Sequence, residues 1–279
     1  SNNLKRLVAK KLTTKYSMTD ISRETNISTS TVYRVLKEWY QPIQKYSYSL
    51  PNVLCFDEFK SVKNVEGSMS FIMMDGETKE LIDILPDRRL PHLEKYFSGF
   101  SLKNRENVRF VVTDIYRPYI ILTKKLFPNA KIVLDKFHLV QLIGKAFQKI
   151  RIRIMNQLKN QYNGTYYRRL KKYWKLLQKN RFKLNYEHKY WRAGFKNYLS
   201  EKEVLERLLS YSTELEEAYS VYQNILHAFQ EKDYPLFLEL INQPSTLKEL
   251  IPVFKTFKHY QSEIQNTFDT IYSNGPLEC

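Results

Sequence analysis

Residues 51–61 read PNVLCFDEFKS. A short apolar run, 53–56, is followed at once by Asp57 and Glu58. Apolar runs of about four to eight residues bounded by turn-formers read as strands buried on both faces. Open α/β sheets gather their ligands beyond the carboxyl ends of such strands, so an acid at that point is placed for chemistry. The pattern returns twice: VRFVVT (108–113) leads into Asp114, and AKIVL (130–134) into Asp135. If the first two strands are parallel neighbours, Asp57 and Asp114 face each other across one site. Facing carboxylates repel unless protonated or bridged by a cation, and hard oxygen ligands suit Mg²⁺ or Mn²⁺. One acid at a strand end is commonly a solvated edge; three in succession argue for a site.

Between these runs the chain punctuates itself. Apolar stretches at 68–74 and 81–85 flank Asp75-Gly76, a hairpin turn signal, which makes Asp75 a turn residue rather than a catalyst. Residues 90–100 read as a helix with Leu93, Tyr96, Phe97 and Phe100 toward the sheet. A second helix, through 120–127, closes at Pro128-Asn129, and a third begins at Leu139. Three strands in a meander, helix, strand, helix, strand, helix is the ribonuclease-H-like plan, with acids ending its first and fourth strands. Asp135 and His138 are spaced i, i+3 and share a helical face if that turn is helical. His138 then reads either as a metal ligand or as a hydrogen-bond partner beside the site, and Asp135 rivals Asp114 for the second acidic position.

Ahead of this region, 4–16 reads as a helix with Leu4, Leu7, Val8 and Leu12 on one face. Ser17 caps a second helix, with Asp20 at its third position and Met18 and Ile21 inward; Asn26 stops it. Ser28 caps a third, whose stripe is Val32, Val35, Leu36 and Trp39. Two short helices across a tight turn, after a supporting helix, make a helix-turn-helix over 1–42. Ser28, Thr29, Ser30, Thr31, Tyr33 and Arg34 are the polar and basic groups it offers a DNA groove. Residues 1–45 hold nine Lys/Arg against three acids, which favours DNA over a bare packing module. The polar stretch 43–50 reads as a linker.

The whole chain of 279 residues carries a net charge of +16, which points to an anionic polymer as partner. That charge is concentrated: 145–196 holds 16 Lys/Arg against one acid, Glu187. Arg168, Arg169, Lys171 and Lys172 form its densest cluster and are candidates for DNA backbone contact. The eleven aromatics interleaved there read first as the core of a helical bundle, although aromatics beside cations also stack on unpaired bases. Residues 201–240 reverse the sign, with nine acids against three bases, and read as a solvated amphipathic pair or a dimer surface. The two cysteines, Cys55 and Cys279, argue for a reducing, cytoplasmic setting and against a thiolate zinc site. No run approaches the roughly 18 apolar residues of a membrane span. No nucleotide-phosphate loop occurs between 145 and 270, so no nucleotide cofactor is expected.

The segments FDEFKS, VVTDIYRPY, LFPNAKIVLDKFHLVQ and YSNGPLE together resemble DDE transposases of bacterial insertion sequences, the ISL-three family. The resemblance covers nearly the whole chain. It implies an α/β ribonuclease-H-like catalytic core over 51–148, preceded by the helix-turn-helix. A large all-α insertion follows over 149–270, basic and then acidic, and 271–279 begins a closing segment that carries the third acid. The implied triad is Asp57, Asp114 and Glu278, holding two Mg²⁺ or Mn²⁺ ions, with Asp135, His138 and Glu58 as auxiliaries. The implied activity is metal-dependent cleavage of double-stranded DNA at element ends and strand transfer into target DNA, by a homodimer on DNA. The family's usual Cys-rich zinc-binding N-terminus and the basic segment after the glutamate are not among these residues. The resemblance therefore implies a trimmed chain in which the helix around the penultimate Glu278 is incomplete. Two other classes stay open: a non-catalytic helix-turn-helix regulator, and a nuclease with the same acids but no strand transfer.

Overall fold

The computed structural model describes residues 2–14, 16–39, 49–61 and 67–277. Most of the expected linker and all of Glu278 lie outside them. The chain divides into two compact units, 1–49 and 50–279.

In the first unit, α1 (Asn2–Leu12), α2 (Met18–Thr25) and α3 (Thr29–Trp39) enclose Val8, Ile21, Val32 and Val35. Ser17 and Asp20 form a reciprocal capping box, and Asn26 ends α2 in the left-handed region at φ 51°. Ser28 Oγ accepts the Thr31 N–H at 3.2 Å, so each expected helix signal is used. Leu7, Met18 and Trp39, expected inward, are exposed. Three helices this short enclose a core of one or two residues each, and the ends of each stripe fall outside it.

The second unit begins with β1 (Val53–Lys60), β2 (Met69–Asp75) and β3 (Leu81–Leu85). Then come α4 (Leu90–Ser98), α5 (Leu102–Glu106), β4 (Phe110–Thr113), α6 (Arg117–Leu126), β5 (Lys131–Leu134) and α7 (Lys136–Gln157). The sheet order is β3-β2-β1-β4-β5. The first three strands are antiparallel neighbours, while β1–β4 and β4–β5 are parallel. This mixed sheet is compatible with a ribonuclease-H-like core. Phe56, Phe71, Phe97, Tyr119 and Phe127 pack ring to ring on one face, drawing in side chains of α4 and α6. Val53, Cys55, Met74, Val112 and Val133 form the other face's cluster, against Tyr272 and Leu277. Asp75 is a turn residue: its Oδ1 accepts the Glu77 N–H at 2.7 Å.

β1 does not stop at Phe56. It continues to Lys60 because β2 pairs with it antiparallel as far as Lys60↔Met69, whereas its parallel pairing with β4 ends at Cys55↔Val112. Asp57 therefore sits inside a strand, just where one of its two neighbours turns away.

α7 runs unbroken through the expected boundary at 148/149, so one helix is shared by the sheet and the helical body after it. Next come α8 (Thr165–Lys172), α9 (Trp174–Gln178), β6 (Tyr190–Arg192) and β7 (Asn197–Leu199). The chain then continues through α10 (Glu201–Leu209), α11 (Thr213–Glu231), α12 (Tyr234–Asn242), α13 (Ile251–His259) and α14 (Gln261–Asp269). The expectation of an all-α segment fails at β6–β7, an antiparallel hairpin whose aromatic positions favour extended pairing. The basic and acidic stretches are two sides of one body rather than separate surfaces. Arg153 bridges Glu214 at 2.6 Å and Glu249 at 2.7 Å, Lys179 meets Glu201 at 2.6 Å, and Lys189 meets Glu203 at 2.8 Å. α14 covers the edge of β5: Asn266 Nδ2 donates to Ile132 O at 2.8 Å and Thr267 Oγ1 to Leu134 O at 2.7 Å. Those side chains satisfy carbonyls that an edge strand would otherwise leave open.

Candidate active site

Strand register brings the acids together. Cys55 pairs with Val112 two residues before Asp57 and Asp114, and Thr113 pairs with Leu134 one residue before Asp114 and Asp135. The Asp135 N–H closes the ladder onto Thr113 O at 2.9 Å. Asp57, Asp114 and Asp135 thus stand at one level on three neighbouring strands. Each is two residues beyond a member of the Cys55, Val112, Val133 cluster, and side chains two apart along a strand share a face.

The tightest grouping among the described residues is Asp114, Asp135 and His138, whose ligand atoms all lie within 4.8 Å of one another. Asp135 is the N-cap of α7, which is why His138 comes in its first turn. Asp135 is only 2% exposed. Its Oδ1 accepts the Asn274 N–H at 3.2 Å, and its Oδ2 is buried with no hydrogen-bond partner among the described residues. Burial pushes the Asp135 carboxyl above its ordinary value and the Asp114 charge adds to this, against the Asn274 N–H and His138. His138 Nε2 lies 2.8 Å from Asp114 Oδ1. That bond raises the His138 pKa against burial, with the Asp114, Asp135 and Asp57 charges adding to it.

Asp57 lies outside this trio, although its charge reaches His138. Its Oδ1 accepts the Glu58 N–H at 2.7 Å. Glu58 is held by Arg88 and accepts the Tyr119 hydroxyl at 3.1 Å. With Asp114, Tyr116, His138 and Lys145 it lines a cleft of about 350 Å³. Glu278, the third acid of the expected triad, lies outside the described residues, but the segment before it is in place. Asn274 Nδ2 donates to Phe56 O at 2.7 Å, and Tyr272 and Leu277 pack on the face that bears the aspartates. Arg88, Tyr119 and Asn274 escape sequence reasoning, although Tyr119 ends the segment VVTDIYRPY and Asn274 lies in YSNGPLE; Arg88 has no signal.

The donor set fits a hard divalent cation. Two close carboxylates with an orphaned, buried Oδ2 are short of positive charge, and carboxylate oxygen suits Mg²⁺ and Mn²⁺. Imidazole is a poorer ligand for Mg²⁺, so the contact of His138 with Asp114 fits an orienting role better than a ligating one.

The other expected contact residues are spread out. Thr29, Ser30, Tyr33 and Arg34 are exposed on α3, Thr31 is half-buried, and Arg168, Lys171 and Lys172 are exposed on α8. Arg169 is committed internally, donating to Gly194 O at 2.7 Å and to the Tyr211 hydroxyl at 2.9 Å.

The model of the ISL3 family of DDE transposases, described as "Transposase", matches residues 54–279. The chain belongs to the ISL3 transposase family. A protein from Lactococcus lactis subsp. lactis described as "ATP-dependent protease" is 36% identical over 103 residues, 37% of this chain and 30% of that protein. The chain thus spans less than a third of that relative's length. Among the described residues, no helix of the chain is long and apolar enough to cross a membrane.

Proposed function

We propose that this chain is the DNA-binding and catalytic portion of a transposase that cleaves DNA at element ends and joins them to target DNA. The observation that carries the reading is the row of three aspartates on neighbouring strands of an ISL3-family chain. Asp57, Asp114 and Glu278 would hold two Mg²⁺ or Mn²⁺ ions, with Asp135 a further carboxylate of the same cluster. Ions bound there supply activation of water or of a 3′-hydroxyl and neutralise charge on the leaving 3′-oxygen. The chain's own residues do the rest. His138 holds the Asp114 carboxylate in one orientation, and Asn274 does the same for Asp135. Arg88 and Tyr119 keep Glu58 on the rim of the cleft, and Lys145 adds positive charge for an approaching phosphate. In-line phosphoryl transfer depends chiefly on such positioning and charge neutralisation.

The first unit acts as a helix-turn-helix whose Ser28, Thr29, Ser30, Thr31, Tyr33 and Arg34 meet duplex DNA. Arg168, Lys171 and Lys172 contact its backbone elsewhere. Pairing two DNA ends calls for a homodimer on DNA, and a DNA substrate places the protein in the bacterial cytoplasm. The name of the Lactococcus relative is not carried over: it rests on 103 shared residues, and no GxxxxGK[ST] run occurs in this sequence.

The test is cleavage and joining of an element-end DNA by the full-length protein with Mg²⁺, comparing wild type with Asp57→Asn and Asp114→Asn. Both variants lose both steps and keep DNA affinity. Metal-dependent cleavage retained by Asp57→Asn would falsify the mechanism. Cleaved ends without joined products would leave a nuclease, and metal-independent binding alone a regulator.

A further inference from the structure

The aromatics of the basic stretch read in sequence as a bundle core, yet many lie outside any core. Tyr162, Trp174, Phe182, Tyr186, Tyr190 and Trp191 are exposed, as is Tyr198 just beyond that stretch. The β6–β7 hairpin concentrates them. Trp191 and Tyr198 are directly opposed across the ladder, with ring centroids 5.3 Å apart, and are 55% and 61% exposed. A cross-strand pair shares one face, so two large rings stand side by side on the hairpin's outer surface. Their opposite face is anchored by Leu199, which is buried.

The hairpin is braced. Arg169 donates to Gly194 O in the loop and lies over the Phe195 ring at 4.2 Å. A Cβ on Gly194 would approach the Tyr173 ring to 3.0 Å, so any larger residue would press the loop against that ring. Beside that loop is a pocket of about 490 Å³ whose lining includes Arg168, Arg169, Lys172 and Lys196 and no acid. Exposed Trp and Tyr also occur in protein interfaces, but interface centres are poor in lysine, and the pocket beside this pair carries Lys172 and Lys196 with two arginines and no acid. Together they match a nucleic-acid strand, with phosphates along the cations and bases on the rings. Paired bases hide their faces in the stack, so the rings select unpaired ones.

We infer that the β6–β7 hairpin is a stacking platform for unpaired bases of DNA, through Trp191 and Tyr198, with the strand's phosphates in the pocket of Lys172 and Lys196. This rests on the reading above only in taking DNA as the partner.

The experiment is fluorescence anisotropy of the full-length protein, in EDTA, with a short labelled oligothymidine and with a duplex of equal length. Trp191→Ala with Tyr198→Ala lowers single-strand affinity by about ten- to a hundredfold and leaves duplex affinity within about threefold. Trp191→Phe, which keeps an aromatic face, retains most of the single-strand affinity. Lys172→Gln with Lys196→Gln lowers the salt dependence of single-strand binding by about 1.4 in slope, about 0.7 for each lost phosphate contact. Unchanged single-strand affinity in the double alanine variant overturns the inference. Equal losses for both DNAs also overturn it, making the hairpin a general DNA contact. A dimer that dissociates in that variant while single-strand affinity holds makes the rings a self-association patch instead. Because no step of the assay requires cleavage, a chain that never cuts DNA but gives the expected pattern keeps this inference and loses the transposase mechanism.

Discussion

His138 Nε2 lies 2.8 Å from Asp114 Oδ1, and the residue that precedes His138 by three, Asp135, stands at the N-cap position of the same helix. The chemistry of the site and the start of α7 are therefore one construction. α7 begins directly after Asp135, and its first turn brings His138 onto the neighbouring strand's acid.

His138 titrates above its ordinary value in the metal-free protein, as followed by NMR of its ring protons. Asp114→Asn lowers that titration because the first cause of the shift is the bond to Asp114. A raised histidine contributes stability that is fully present below its unfolded pKa and fades as pH rises through the folded value. Urea midpoints of wild type therefore fall over that window, and His138→Gln flattens the fall. An unshifted histidine would sink the orienting role.

Asp135→Asn should be more stable than wild type at neutral pH without metal. Burial raises the Asp135 pKa, so its ionised form costs stability once pH passes the folded value, and the cost is absent below the unfolded one. Mn²⁺ should reverse the order: a ligand at a hundred times its Kd adds about 2.7 kcal/mol to wild type, and the variant gains much less. Equal thermal shifts with Mn²⁺ would remove Asp135 from the metal cluster.

Asn274→Ala removes the side-chain bond to Phe56 O and should cost about 1–2 kcal/mol in urea unfolding. Limited proteolysis should then cut the closing segment sooner than the rest of the chain. Resistance equal to wild type would mean that the Asn274 N–H bond to Asp135 and the packing of Tyr272 and Leu277 suffice to hold the segment.

Arg153→Ala leaves Glu214 and Glu249 facing each other without their shared cation. About a third of the Arg153 side chain is exposed, which tempers the loss to roughly 1–2 kcal/mol. Glu214→Gln combined with Glu249→Gln in that background recovers part of it, because the remaining repulsion is gone. The double-mutant comparison by thermal unfolding reads both effects.

Cys55 should resist alkylation at pH 8 in the folded protein and react at once in urea, measured in a Cys279→Ser background. Burial pushes its thiol up to about 12, and the thiolate is the reactive form.

Legibility in the sequence tracks the strength of local signals. VLCF, FVVT and KIVL announce buried strands ahead of each aspartate, and Ser17, Asn26 and Ser28 each cap or stop a helix as their types suggest. The end of β1 is illegible because Asp57 and Glu58 are polar, while strand length is set by β2, a partner whose pairing has no signature at those residues. The β6–β7 hairpin is hidden for a similar reason: three residues per strand are too few to show a period of two amid helical basic sequence. The roles of Arg88 and Asn274 arise from contacts 30 and 218 residues away along the chain, beyond any motif.

α7 also has a mechanical meaning. Its first residues lie at the aspartate row, while Ile150 and Ile154 are sunk in the core of the helical body. With 22 residues it is about 33 Å long, so pivoting it by about 5° at the far end would sweep its first turn through about 3 Å. That sweep is comparable to the 2.8 Å of the His138–Asp114 contact. A tilt of the helical body would therefore shift His138 against Asp114, as a lever moves a latch.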